Sequence, residues 1–284
     1  MKLDGNTAWY IPASNNNKSS SYPITKLCDK DYTYCIRFKV DWEAMVVPNK
    51  WSMGGLVVRN GAHFGINTVV GKDNNGEILK AFESTLWVTK LDRNVNPSLE
   101  SISETDNECL SIKIDSNNSK KYFSDEGEVD GIIETINWDG WINCVFTSEY
   151  NKRLTLHIDD FTDTIHYDNR MLDYSLSWLW LGCCNGFSGI DIGNNYFTGE
   201  ISHLGLFQKC FNKKDRKLFF ENLNDLSVLN NHNLNPIAMT DFKKKTPYKI
   251  YDLSETGNHF TLYSEEWMNQ MYDNQTQVET INEL

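Results

Sequence analysis

Residues 196–223 read YFTGEISHLGLFQKCFNKKDRKLFFENL and carry an apolar strand pattern that runs directly into a helical pattern. Four apolar residues of the second half fall near one helix face: Phe211, Leu218, Phe219 and Leu223. Charged residues fall on the opposite face, as in a surface helix that packs on a core. The stretch therefore predicts a strand followed by a short helix near 211–223.

Short apolar windows fill much of the remaining chain. The clearest is YTYCIRFKV at 32–40, whose even-numbered residues share one strand face. The others are 54–60, 64–70, 85–91, 109–115, 142–149, 153–159 and 178–182. Asn, Gly and Asp separate nearly all of them, and no series of 10–15-residue helices alternates with them. The pattern predicts an all-β sandwich or barrel.

Composition narrows the class of protein. The chain has 284 residues, of which 40% are hydrophobic and 13% aromatic, so it can bury a sizeable core. An even spread of apolar residues predicts one domain with an appendage. The net charge of -12 disfavours nucleic acid, whose phosphates need Lys and Arg. No secretion signal and no membrane span are expected, because the chain lacks the apolar stretches that they need.

The cysteines do not suggest a disulfide framework or a metal centre. They number seven, and they are scattered without paired spacing. The one close pair, Cys183 and Cys184, has no histidine nearby in sequence. We expect most of them to be small buried hydrophobes.

Three stretches, in this order, resemble one family. LDGNTAWYIP at 3–12 resembles its first strand, and WDGWINCVFTSEYNKRLTLHIDD at 138–160 resembles its central hairpin. Residues 196–223 resemble its closing strand and helix. Over most of residues 1–225 the chain is thus similar to the laminin G-like and pentraxin-like branch of the concanavalin A-like lectin/glucanase superfamily. The resemblance implies an antiparallel jelly-roll β-sandwich.

The C-terminal part departs from that order. YDLSETGNHFTLY at 251–263 resembles a turn that precedes the first strand in many relatives. We expect 1–263 to form the sandwich, with 245–263 returning as a strand beside the first strand or completing a neighbouring copy. Residues 264–284 form an acidic tail, a predicted assembly contact through four apolar or aromatic residues: Trp267, Met268, Met271 and Tyr272.

Catalysis is not expected. Glucanases of the superfamily project paired carboxylates from one strand, and Glu128, Asp130 and Glu134 have the parity for this. Their spacing differs from the family's motif, however, and Gly131 indicates a loop. In the catalytic relatives a longer stretch separates the acidic motif from the strand that corresponds to the one at Trp141, so the position of this segment also differs. A glycoside hydrolase is therefore the third functional hypothesis, after the two binding functions described below.

Two kinds of binding site remain as candidates. Calcium is common in the superfamily, and Asp159, Asp160 and Asp163 offer hard oxygen ligands, although ordinary turn chemistry explains these residues without a metal. For a glycan, the loop near 186–199 combines aromatics with polar side chains. Its candidate residues are Asn185, Phe187, Asp191, Asn194, Asn195, Tyr196 and Phe197. Trp178 and Trp180 alternate with leucines, which favours a core role.

The first functional hypothesis is a non-catalytic structural module on a virion surface, such as a bacteriophage capsid or tail. Its partners would be other protein chains of an assembly, which include copies of itself. The alternative is a lectin or adhesion module that binds a cell-surface glycan, outside the cell or on its surface.

Overall fold

The computed structural model describes residues 1–5, 8–11, 30–46, 52–59, 64–72, 78–89, 107–115, 136–150, 152–166, 179–183 and 196–262. In chain order the strands before residue 116 are β1 Lys2–Asp4, β2 Trp9–Ile11, β3 Tyr32–Val40, β4 Ser52–Arg59, β5 Phe64–Lys72, β6 Ile78–Thr89 and β7 Asn107–Asp115. The later strands are β8 Ile142–Glu149, β9 Arg153–Ile158, β10 Phe161–His166, β11 Leu179–Leu181, β12 Thr198–Phe207, β13 Pro236–Thr240, β14 Lys245–Thr246, β15 Lys249–Ile250 and β16 Phe260–Leu262.

These strands form two antiparallel sheets. One sheet has seven strands in the order β1-β12-β3-β8-β9-β10, and β13 pairs with the far half of β12. The other has nine strands in the order β14-β15-β16-β2-β11-β4-β5-β6-β7. The chain is an all-β antiparallel sandwich, and this confirms the predicted fold class.

The core lies between the two sheets. The even-numbered residues of β3 all face inward, as their alternation predicts, and each is buried. Phe38 of the seven-stranded sheet meets Phe82 of the nine-stranded sheet edge to face, with ring centroids 5.4 Å apart. Tyr34 stacks on Phe146 of the neighbouring strand at 6.2 Å. Aromatic pairs of this kind add about 1 kcal/mol each beyond their burial.

Helical segments cover part of the outer face of the seven-stranded sheet. Helix α2, Lys213–Glu221, begins at Asn212, whose side chain forms a capping box with Asp215. The predicted helix near 211–223 is thereby confirmed. Phe219 packs on Phe207 at a centroid distance of 5.8 Å, above Gly205, where a Cβ atom would approach both rings within 2.7 Å. A 3-10 helix at Leu226–Asn231 and the one-turn helix α1 at Trp42–Met45 are additional to the sequence prediction.

The N-terminal stretch crosses from one sheet to the other. β1 pairs with β12 in the seven-stranded sheet, whereas β2 pairs with β11 in the nine-stranded sheet. β16 pairs with the free side of β2 in the same chain, with Thr261 opposite Tyr10. In this single chain, therefore, the returning strand lies beside an N-terminal strand.

A buried polar turn connects β16 to the seven-stranded sheet. The carboxylate of Asp252 accepts hydrogen bonds from the backbone N–H groups of Met239, Ser254 and Asn258 at 2.8–2.9 Å. The hydroxyls of Ser254 and Thr256 also donate to it. The Asn258 amide donates to the Ile237 carbonyl at 2.8 Å. The turn that resembles the family's motif thus joins β13 to the last strand.

Four of the cysteines are free thiols. Cys35, Cys144 and Cys183 are buried, and Cys210 is half-buried. Burial raises the pKa of the Cys35 and Cys144 thiols well above the usual range, so both are neutral. In the described part of the chain, no helix has the length and apolarity that a membrane crossing requires.

Candidate functional site

A polar region begins where the helical cover of the seven-stranded sheet ends. The cover lies over Cys35, Val145 and Phe207. Arg37 lies two residues after Cys35 in β3, and Asn143 lies two residues before Val145 in β8, so both are on this same outer face. They are paired across the strands and half-buried. Charged and amide groups therefore occupy the uncovered half of this face.

Trp141 adds an aromatic surface to this region. It precedes β8 and follows a turn at Asn137 that closes with a hydrogen bond from the Gly140 N–H, at 3.0 Å. The turn places the indole on the surface, and 39% of Trp141 is exposed. The strand that follows is largely buried, but the tryptophan itself is not.

Arg37 connects the indole to the sheet. Its Cζ atom lies 5.7 Å from the centroid of the Trp141 ring, and its Nη1 donates to Asn143 Oδ1 at 2.7 Å. A cation over an indole face stabilises the arrangement by about 0.5–1 kcal/mol at an exposed site. No carboxylate of the described residues lies within salt-bridge distance of Arg37. Its charge is therefore available to a ligand.

Asp159 borders the same surface at the turn between β9 and β10. Its φ of 50° places the backbone in the left-handed region, which Asp tolerates better than most residues. Its N–H donates to the Asn143 carbonyl at 2.7 Å, and its Oδ1 accepts from the Asn143 N–H at 2.9 Å. Burial raises the pKa of Asp159, and the Asn143 N–H and the Arg37 charge oppose that rise.

His203 completes the surface on β12, where a bulge interrupts the pairing with β3. Its Nδ1 lies 2.9 Å from the Ser202 hydroxyl, which donates to the Arg37 carbonyl at 3.2 Å. Burial lowers the pKa of His203, and this effect outweighs those of the Leu223 backbone and the Asp241 charge, which raise it. The ring is therefore neutral near pH 7. We call the surface formed by Arg37, Trp141, Asn143, Asp159 and His203 the Trp141 face.

The Trp141 face combines the groups that saccharide recognition uses. An exposed indole offers an apolar surface for a sugar ring, while guanidinium, amide and carboxylate groups donate or accept hydrogen bonds. These groups are held by paired strands, so little conformational entropy is lost when a ligand binds.

Most of the predicted glycan residues fall outside the described part of the chain. These are Asn185, Phe187, Asp191, Asn194 and Asn195. Tyr196 is half-buried and forms an isolated antiparallel bridge with Cys183. Phe197 is fully buried in the core, 6.2 Å from Phe38 in an edge-to-face arrangement. Phe197 therefore packs the sandwich and offers no surface to a ligand.

The three predicted calcium ligands do not form a cluster. The described residues contain no group of three carboxylate, histidine or cysteine side chains placed to hold a metal. Asp159 and Asp163 each accept a backbone N–H, from Asn143 at 2.9 Å and from Thr164 at 2.8 Å. Asp160 is exposed at the turn. The set of Asp159, Asp160 and Asp163 therefore does not fit a calcium ion.

The remaining candidates have different outcomes. Trp180 is 3% exposed and contacts Tyr10 at a centroid distance of 5.6 Å, so the core interpretation is confirmed for it. Outside the described residues lie Trp178, the acidic residues Glu128, Asp130 and Glu134, and the tail residues Trp267, Met268, Met271 and Tyr272.

Sequence reasoning missed the Trp141 face, although it left a signal. Arg37 is a charged residue between two apolar residues in YTYCIRFKV, and Asn143 has the same place in INCVFTSE. Strand alternation assigns both to the outer face. Their juxtaposition depends on strand register, which the sequence alone does not provide.

Comparisons with known proteins find remote structural likenesses. No protein-family model and no curated protein matches the chain. A proposed carbohydrate-binding protein from Bacteroides ovatus is similar at 10% identity and a TM-score of 0.46, over 93% of this chain and 60% of that one. The binding domain of botulinum neurotoxin serotype D/C is similar at 10% identity and a TM-score of 0.36, over 77% and 46%.

A phage protein is also similar. Full-length tailspike protein 2 of an Escherichia coli O157:H7 bacteriophage matches at 8% identity and a TM-score of 0.35, over 84% of this chain and 29% of that one. The chain thus spans less than two thirds of each of these proteins. Since the likenesses are remote, the sandwich assignment rests on the strand pairing of the chain itself. The laminin G-like branch stays a prediction.

Proposed function

We propose that this chain is a non-catalytic, lectin-like module that binds a saccharide on the Trp141 face. One observation carries the proposal: a tryptophan that is 39% exposed stands beside a guanidinium with no salt-bridge partner among the described residues. Stacking of a sugar ring on the indole would supply affinity, and Arg37 with Asn143 would supply polar contacts.

A glycan array probed with the full chain tests this proposal. Wild type should bind at least one glycan class, with and without a chelator, because the described aspartates form no metal cluster. Trp141→Ala should weaken binding by about tenfold or more, equivalent to about 1.4 kcal/mol, and Trp141→Phe should retain part of it. Arg37→Met should weaken binding to acidic sugars most.

The matched control is Val228→Ala. Val228 is 38% exposed, so its loss removes an apolar surface group without opening the core, and it lies in the 3-10 helix Leu226–Asn231 instead. Its binding should equal that of wild type. Equal binding by Trp141→Ala, or no binding of any glycan by wild type, would overturn the proposal.

A structural role in an assembly, such as a virion, is the second candidate function. A group of lysines on an exposed hairpin near Tyr248 favours this role. Exposed positive charges on an otherwise acidic protein can form complementary contacts with an acidic surface of a partner protein. Mass spectrometry of purified particles from the source should detect the chain in fixed proportion to the other subunits. Its absence from particles would contradict this role.

We also expect the chain to release no sugar from β-glucans. A reducing-sugar assay with the full chain checks this. Hydrolysis that Glu128→Gln abolishes would show that the acidic segment is catalytic.

A further inference from the structure

The edge of the nine-stranded sheet carries a concentrated positive charge. β14 and β15 form a hairpin whose turn contains Pro247 and Tyr248, and β14 is the last strand of its sheet. We call residues 243–250 the lysine hairpin. Four of its eight residues are lysines: Lys243, Lys244, Lys245 and Lys249.

Three of these lysines have no carboxylate partner among the described residues. Lys244 and Lys249 approach the ring of Tyr251 to 5.4 and 5.2 Å, and both lower the pKa of His259 after burial has done so. Lys243 pairs with Asp241 at 3.3 Å. Within the described ranges, no carboxylate lies at salt-bridge distance from Lys244, Lys245 or Lys249. An anionic partner would relieve their mutual repulsion.

The geometry of the hairpin favours a polypeptide over other anions. The outward backbone groups of β14 have no strand partner among the described residues, and such an edge accepts an extended peptide. Tyr248 is 72% exposed at the tip, where it offers an aromatic contact. Phosphate or sulfate groups would use the lysines but neither of these features.

The chain itself contains an acidic segment that fits. Residues 264–284 have five acidic side chains and no Lys or Arg. The Leu262 N–H donates to the Tyr248 carbonyl at 3.0 Å, so the chain enters this segment from the tip of the lysine hairpin. Because residue 264 is two residues beyond Leu262, the segment begins within about 7 Å of that residue in each copy. Two copies related by a two-fold axis that brings the hairpin tips together could each bind the acidic segment of the other.

We propose that the lysine hairpin binds the acidic segment 264–284 of a second copy, which gives a reciprocal dimer. The lysines and the acidic segment have complementary charges, and a segment bound to the hairpin of its own chain would instead leave the protein monomeric. The proposal goes beyond saccharide binding and is independent of it, because the two surfaces lie on different sheets.

Charge reversal with complementation tests this dimer by sedimentation velocity of the full chain. Wild type should be dimeric at low salt and should dissociate as salt rises. Lys244→Glu/Lys249→Glu and Glu265→Lys/Glu266→Lys should each weaken dimerisation by about tenfold or more. An equimolar mixture of the two variants should form a heterodimer, since each hairpin then meets a segment of opposite charge.

The control is Lys213→Glu/Lys214→Glu on α2, which changes the charge equally at two exposed lysines and should leave the dimer intact. Circular dichroism of each variant checks folding. A monomeric wild type, or variants that stay monomeric when mixed although both fold, would overturn the proposal. So would equal loss of dimer in the α2 control.

Discussion

Replacement of Asp252 by alanine should destabilise the protein far more than an ordinary loss of one carboxylate. Asp252 is half-buried and accepts five hydrogen bonds from the turn 252–258 and from β13. Alanine would leave three backbone N–H groups, those of Met239, Ser254 and Asn258, without this acceptor. The two hydroxyls can rotate toward other acceptors, but the N–H groups cannot.

The magnitude follows from those three groups. Each buried donor left without a partner costs about 1–3 kcal/mol, and partial entry of water reduces the sum. We therefore expect Asp252→Ala to lower the free energy of unfolding by about 3–5 kcal/mol. Asp252→Asn keeps one acceptor oxygen and should fall between alanine and wild type.

Urea unfolding followed by fluorescence, with linear extrapolation, measures this loss. Asp41→Ala is the matched control, because Asp41 is exposed and accepts one backbone N–H at the start of α1. Its effect should be much smaller. If Asp252→Ala and Asp41→Ala cost the same, the turn does not join β16 to β13 in the way that these bonds indicate.

Two further predictions concern pH and backbone geometry. Burial of His157 lowers its pKa from about 6.5 to about 3, so the unfolded chain takes up the proton at a higher pH than the folded protein does. Between these two pH values the free energy of unfolding of wild type should fall by about 1.4 kcal/mol per pH unit relative to His157→Gln. Chemical denaturation at several pH values measures this fall. Equal pH profiles would contradict this. At Gly199, φ is +154° and a Cβ atom would lie 2.2 Å from the Lys39 carbonyl oxygen. Gly199→Ala should therefore cost about 3 kcal/mol or more in thermal or urea unfolding, and a near-neutral result would show that the strands can separate there.

The local pattern of apolar residues was sufficient to predict many of the strands and the helix. The windows at 32–40 and 142–149 are strands with those same bounds, and the helix near 211–223 is confirmed at Lys213–Glu221. These elements were predictable because side-chain periodicity depends on backbone geometry, which neighbouring residues impose on one another. The returning position of β16 was one of two alternatives that the sequence left open.

The residues of the candidate site could not be predicted from local pattern in the same way. The predicted glycan set includes Phe197, which is buried, and the predicted calcium set does not converge. An aromatic residue in a polar loop has the same local pattern whether it faces solvent or core. Its exposure depends on what packs over it.

The sequence by itself determined that this chain forms many short strands with alternating apolar residues. It also determined that a short helix follows one of these strands near 211–223. Tertiary structure decided which polar residues meet. Arg37, Asn143 and His203 are far apart along the chain and come together only because β12, β3 and β8 pair in one register. Register depends on the simultaneous burial of two sheet faces, which is a property of the whole sandwich rather than of any one strand.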